Sequence, residues 1–92
     1  MSDITDLLEE ATRQNKRKWD AIQTIRNTDF KKVGLRLVVI SEDEKIKMYN
    51  KVQQVYGTKI NDMYREINEK LTALGEPTMQ NPFKERKINT WN

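Results

Sequence analysis

The sequence predicts a mainly α protein. Two long amphipathic helices, at about residues 3–27 and 42–74, are joined by a short strand-like segment at about 33–40 and followed by an extended C-terminal arm. Three observations carry this. Apolar residues recur every three or four positions through both helical segments, as on a helix with one buried face. The second segment opens on a start signal at Ser41 and closes on a stop signal at Gly75 and Pro77. Between the helices the side chains alternate with period two.

The first helix starts at Ser2 or Asp3, either of which can cap it, and runs to about Asn27. Its apolar arc is Ile4, Leu7, Leu8, Ala11, Trp19, Ile22 and Ile25, with Asp6, Glu9, Arg13, Lys16, Arg17 and Asp20 pointing elsewhere. The stripe fails in its middle, where Asn15 and Lys18 stand at positions that should be apolar. Two readings fit: a solvated stretch between two contact points, or Asn15 paired with a polar seam residue such as Gln53.

Asn27-Thr28-Asp29 breaks the helical pattern. Val33, Leu35, Leu37 and Val39 then alternate with Lys32, Gly34 and Arg36, and the run ends apolar at Val38 and Ile40. The period and the β-branched residues indicate a strand over Val33–Ile40, with a short helix as the alternative. Its pairing partner would be the weakly alternating tail from Lys87 to Trp91 or the same strand of a second subunit, since either hides an exposed edge.

Ser41-Glu42-Asp43-Glu44 reads as a capping box, in which Ser41 accepts from the Glu44 N–H and the Glu44 side chain reaches back to the Ser41 N–H. Its three acids suit the positive end of the helix dipole. Ile46, Tyr49, Tyr56, Ile60, Met63, Ile67, Leu71 and Leu74, with Val52 and Tyr64, fall in an arc of roughly 120° around the axis. Gln53 lies inside that arc, and Lys70 lies at its rim with a stem able to snorkel. Lys47, Asn50, Lys51, Gln54, Asn61, Asp62, Arg65, Asn68 and Glu69 form the opposite side. Mid-helix Gly57 is either a tolerated glycine at the edge of the packed face or a break, which would give an all-α bundle with a split second helix. Gly75 suits the left-handed C-cap, and Pro77 prevents the helix from resuming.

Residues 1–75 thus form one helical domain and residues 76–92 a basic arm, twice interrupted by proline and without a strong period. Phe83 and Trp91 stand out on it. Each anchors either on a partner surface or on the protein's own helices.

Composition narrows the function. Only 36% of the 92 residues are hydrophobic and 34% are charged, so the core is small. There is no cysteine, hence no disulfide and no thiolate metal site, and no histidine, the commonest general base and metal ligand. No phosphate-binding glycine loop is present. Asp62, Glu66 and Glu69 are the best carboxylate cluster, but they stand beside Arg65 and Lys59 on the polar side, where such clusters are usually plain surface, and a site needs a pocket with convergent polar groups. Neither an enzyme nor a cofactor or metal site is expected. Tyr49, Tyr56 and Tyr64 follow the apolar stripe and are expected in the core. No stretch is long and apolar enough to span a membrane, and the start, with Asp3, Asp6, Glu9 and Glu10, is unlike a signal peptide, so a cytoplasmic location is expected.

The net charge is +3, and its position is informative. Acids and bases cancel within each helix. The surplus lies in Lys31, Lys32 and Arg36 of the connector and in Lys84, Arg86 and Lys87 of the arm. A second helix of roughly 50 Å cannot have its stripe covered by a first of roughly 36 Å, at 1.5 Å per residue. A second copy would bury the rest. The expected function is therefore a non-enzymatic, dimeric protein-interaction module, a small accessory, assembly or inhibitor protein binding a larger protein partner. Its partner-binding residues would be Lys31, Lys32, Arg36, Phe83, Lys84, Arg86, Lys87 and Trp91. Its dimer or core seam would be Ile46, Tyr49, Gln53, Tyr56, Ile60, Met63, Ile67, Leu71 and Leu74. Nucleic-acid binding through the basic connector and arm is the alternative.

Overall fold

A computed structural model describes residues 3–91. In chain order these form α1 (Ile4–Asn27), β1 (Phe30–Val33), β2 (Arg36–Val39) and α2 (Glu42–Ala73), and the arm follows without regular structure. The two helices fold back on each other as a hairpin, and the molecule is a rod of 58 × 26 × 16 Å.

Local chemistry sets each boundary. Asp3 caps α1 by accepting from the Asp6 N–H at 2.8 Å; Ser2, the other cap candidate, lies outside the described residues. At the start of α2 the Ser41 hydroxyl accepts from the Glu44 N–H at 3.2 Å. The expected return bond of the capping box is replaced: the Glu44 carboxylate accepts from Lys31 Nζ at 2.6 Å. A lysine brought close by β1 offers a charged donor, which is a stronger partner than a backbone N–H. Helix α2 ends in a Schellman motif, with Glu76 N–H on the Leu71 carbonyl, Gly75 N–H on that of Thr72, and Gly75 at φ 74°.

Helix α2 runs unbroken through Gly57, so the split-helix alternative does not hold. The connector is strand-like as expected, but it holds two strands. Phe30 pairs with Val39, Lys31 with Val38, Lys32 with Leu37 and Val33 with Arg36, leaving Gly34-Leu35 as a two-residue turn. Gly34 has φ 63° while Leu35 has negative φ, the pattern of a turn that needs glycine at its first central position. The strand's partner is therefore its own neighbour in sequence, and neither the tail nor a second subunit is needed to pair it. Ile40 alone in the connector is buried, and its N–H on the Asp29 carbonyl at 2.9 Å closes the ribbon's base.

The core has an apolar lobe at each end and a polar middle. Leu7, Ala11, Ile60, Tyr64 and Ile67 make one lobe, with Phe83 of the arm packed against it. Ile22, Ile25, Ile40 and Tyr49 are buried toward the ribbon. Gln14, Lys18 and Gln53 are buried between. Hence the weak centre of the first stripe is not a solvated stretch, and Gln53 does not pair with Asn15. Trp19, expected in the arc, is instead exposed, with Lys18 Nζ 5.2 Å from its ring centre.

Candidate functional site

Beyond the core, the described residues form a seat for the arm, a ribbon, and a groove between the helices. The seat lies on one flank of α2. Asn68 accepts from the Met79 N–H at 2.8 Å and donates to the Met79 carbonyl at 2.9 Å. Asn50 treats Ile88 the same way, with both bonds at 2.8 Å. Between them Asn61 accepts from Asn81 at 2.5 Å, and Gln53 accepts from the Arg86 N–H at 3.2 Å while donating to the Tyr49 hydroxyl at 3.1 Å. An amide side chain pairs an NH₂ donor group with a carbonyl acceptor, which matches the C=O and N–H of one extended residue.

The spacing follows from chain geometry. From Asn68 back to Asn50 the helix axis covers about 27 Å at 1.5 Å per residue. From Met79 to Ile88 an extended chain covers about 28 Å at 3.1 Å per residue. One arm residue thus spans two helical residues, and the register holds from one bidentate contact to the next. Gly57 lies under this path: a Cβ there would come within 3.3 Å of the Glu85 Cβ. Trp91 completes the seat edge-on to Tyr49, with centroids 6.3 Å apart, and Lys45 Nζ lies 5.7 Å from its ring centre.

Lys18 is 2% exposed. Burial pushes its ammonium below the ordinary lysine value, Arg86 of the arm adds to the shift, and Glu85 opposes it. Burial likewise raises Tyr64 above the usual tyrosine value. At the outer edge Gln14 and Arg13 both donate to Glu10 and lower its pKa.

The expected site residues divide accordingly. Phe83 and Trp91 pack back on the protein's own helices. Lys84, Arg86 and Lys87 are exposed above the middle of α2, with Lys87 3.5 Å from Glu85. Lys31, Lys32 and Arg36 sit on the ribbon, beyond the start of α2. The stretch of helix from Gln53 to Glu42, about 16 Å, separates the two basic sets. Of the seam residues, Tyr49, Gln53, Ile60 and Ile67 are buried; Ile46, Tyr56, Met63 and Leu71 are half-buried; Leu74 is exposed. The arm, running from Asn68 to Lys45, lies along one polar flank of α2, that of Asn50, Asn61 and Asn68.

The connector was named for its bases Lys31, Lys32 and Arg36, but the ribbon's apolar surface and the groove were not legible as sites. All eight strand residues are exposed, including Phe30, Val33, Leu37 and Val39, as is Leu35 at the turn. On the flank of the helix pair away from the arm, an open groove of about 550 Å³ is lined by Ala21, Ile25, Met48, Val52, Val55 and Tyr56, with Thr24 and Lys51 also on its wall. Its sequence signal was present but weak: Met48 and Val55 are apolar residues outside the main stripe. Among the described residues no cluster of three or more metal-ligating side chains occurs, and no helix is long and apolar enough to cross a membrane. No protein-family model matches the sequence, and no curated protein or solved structure matches it either.

Proposed function

We propose that this chain is a non-enzymatic protein-interaction module, a small accessory, assembly or inhibitor protein that binds a larger protein partner. The groove between α1 and α2 carries the reading. Its lining is almost wholly apolar, Met48 and Val55 are exposed within it, and no described part of the chain covers it. An amphipathic segment laid into such a groove buries apolar side chains at three- and four-residue spacing. The absence of histidine and cysteine speaks against catalysis.

The competing reading, nucleic-acid binding by Lys31, Lys32, Arg36, Lys84, Arg86 and Lys87, is less well served. These residues lie in two separate sets, and two of them are spent on Glu44 and Glu85. The test compares the wild-type chain with Val55→Asp. The variant should lose a protein captured by wild type while keeping its helical circular dichroism. Capture that is indifferent to Val55→Asp, together with salt-dependent binding to a labelled duplex, would replace the first reading with the second.

A further inference from the structure

We infer that the β-ribbon is a self-association surface, through which two copies of this chain meet ribbon end to ribbon end about a two-fold axis. The assignment goes beyond the groove reading and does not depend on it. Three observations support it.

The first is area. Phe30 is 55% exposed, Val33 53%, Leu35 102%, Leu37 73% and Val39 65%. Phe30, Leu37 and Val39 share one face, Leu35 projects at the turn, and Val33 lies on the other face. With roughly 170 Å² for a fully exposed residue of this size, that one face and the turn present about 500 Å² of apolar surface per copy. A stable interface takes about 800 Å² per partner. The polar rim of the same end can supply the difference.

The second is the open backbone. A two-stranded ribbon is marginal by itself, and both of its outer edges carry unpaired main-chain groups. Joining two ribbons edge to edge makes a four-stranded sheet.

The third is charge, and it selects the occupant. The ribbon end holds Lys31, Lys32, Arg36 and Lys45 beside Asp29, Glu42, Asp43 and Glu44. Lys31 pairs with Glu44 at 2.6 Å and Lys45 with Asp29 at 3.3 Å. Among the described residues, Lys32 and Arg36 on the ribbon and Glu42 and Asp43 at the helix start remain without an ion pair. A two-fold contact places the same patch on both sides, so every attraction needs both signs on that patch. Two free bases beside two free acids meet that need. A phosphate backbone or an anionic membrane would meet the acids as well as the bases.

Equilibrium sedimentation of the full chain from 1 to 100 µM tests this. Wild type should approach twice the 11.0 kDa chain mass. Leu37→Lys, which alters no buried residue, should weaken association at least tenfold. Lys32→Glu/Arg36→Glu and Glu42→Lys/Asp43→Lys should each be monomeric alone and associate one-to-one when mixed, with circular dichroism confirming that both are folded. Val55→Asp should leave the doubled mass unchanged, which separates this surface from the groove. A single-chain mass at 100 µM overturns the proposal, as does a dimer indifferent to Leu37→Lys. So does a monomer whose Lys32 and Arg36 bind vesicles of phosphatidylcholine and phosphatidylserine or a labelled duplex.

Discussion

Replacing Gly57 with Ala sets two effects of similar size against each other. In a helix interior the change relieves the glycine cost and stabilises by about 1 kcal/mol. Here the new Cβ would meet Glu85 Oε2 at 3.2 Å, its Cβ at 3.3 Å and its Cδ at 3.5 Å. The carboxylate can swing aside at little cost. The Glu85 Cβ cannot, because it is fixed to an arm backbone whose next N–H, that of Arg86, is bonded to Gln53. The arm must lift by a few tenths of an ångström and stretch that 3.2 Å bond, which is worth about 0.5–1.5 kcal/mol. Gain and loss should nearly cancel, leaving Gly57→Ala within about 0.5 kcal/mol of wild type. Glu85→Gly removes all three contacting atoms, and in that background Gly57→Ala should recover its full stabilisation of about 1 kcal/mol. The resulting coupling of about 1 kcal/mol is in the range for residues in contact. Urea unfolding of the four chains by far-ultraviolet circular dichroism measures it, with m-values compared to confirm a common unfolding transition. The extra backbone freedom of glycine at position 85 is present on both legs and drops out. An equal stabilisation in both backgrounds would refute the placement of the arm over Gly57.

Asn50→Ala and Asn68→Ala each remove two bonds to a single arm residue, so local opening should become easier by about 1–2 kcal/mol. Hydrogen exchange at Ile88 or Met79 should then quicken about fivefold to thirtyfold while Ile60 stays protected, and unchanged exchange would show that the amide contacts do not hold the arm. Lys18 has a folded-state pKa below its unfolded value, so between the two the unfolded chain binds more protons and stability rises with pH. Below that window its desolvation cost is fully present. Lys18→Met should therefore gain stability over wild type at neutral pH, with the gain shrinking as pH rises toward 10.5, the ordinary lysine value. A difference independent of pH over that range would mean that Lys18 is not desolvated.

Both helices were legible because periodicity and caps agree. Ser41 and Gly75 do what their residue types predict, and the stripe from Tyr49 to Leu71 faces α1 or its edge. The ribbon was misread because its alternation continues through the turn. The pairs Lys32–Leu37 and Val33–Arg36 put Val33 and Leu37 on opposite faces, although they are in phase along the sequence. Only Gly34 marks the reversal, and one glycine beside a leucine is a faint signal. The arm was missed for a different reason. Its main chain is what α2 recognises, so its own sequence carries little trace of the docking. The trace is on the helix: Asn50, Gly57, Asn61 and Asn68 recur at spacings of seven and four along one flank, where three amides and a glycine resemble an ordinary solvent face.

The polar middle of the core and the bare apolar end have a common explanation. An apolar residue at position 53 would pack more simply against α1, yet it would leave the Arg86 N–H without the acceptor that Gln53 supplies. The polar seam is therefore matched to the arm that crosses it, and no buried polar side-chain atom among the described residues lacks a partner. Along that flank the chain covers its surface with its own arm, chiefly through amide contacts and with Phe83 and Trp91 as anchors. The opposite flank and the ribbon receive no such cover, although their side chains, Val55, Met48, Leu35 and Leu37 among them, would gain more from burial. The chain satisfies its buried amides while leaving the groove and the ribbon, its most apolar described surface, in water. This is the physical ground on which the partner is proposed for the groove and the ribbon rather than for the basic arm.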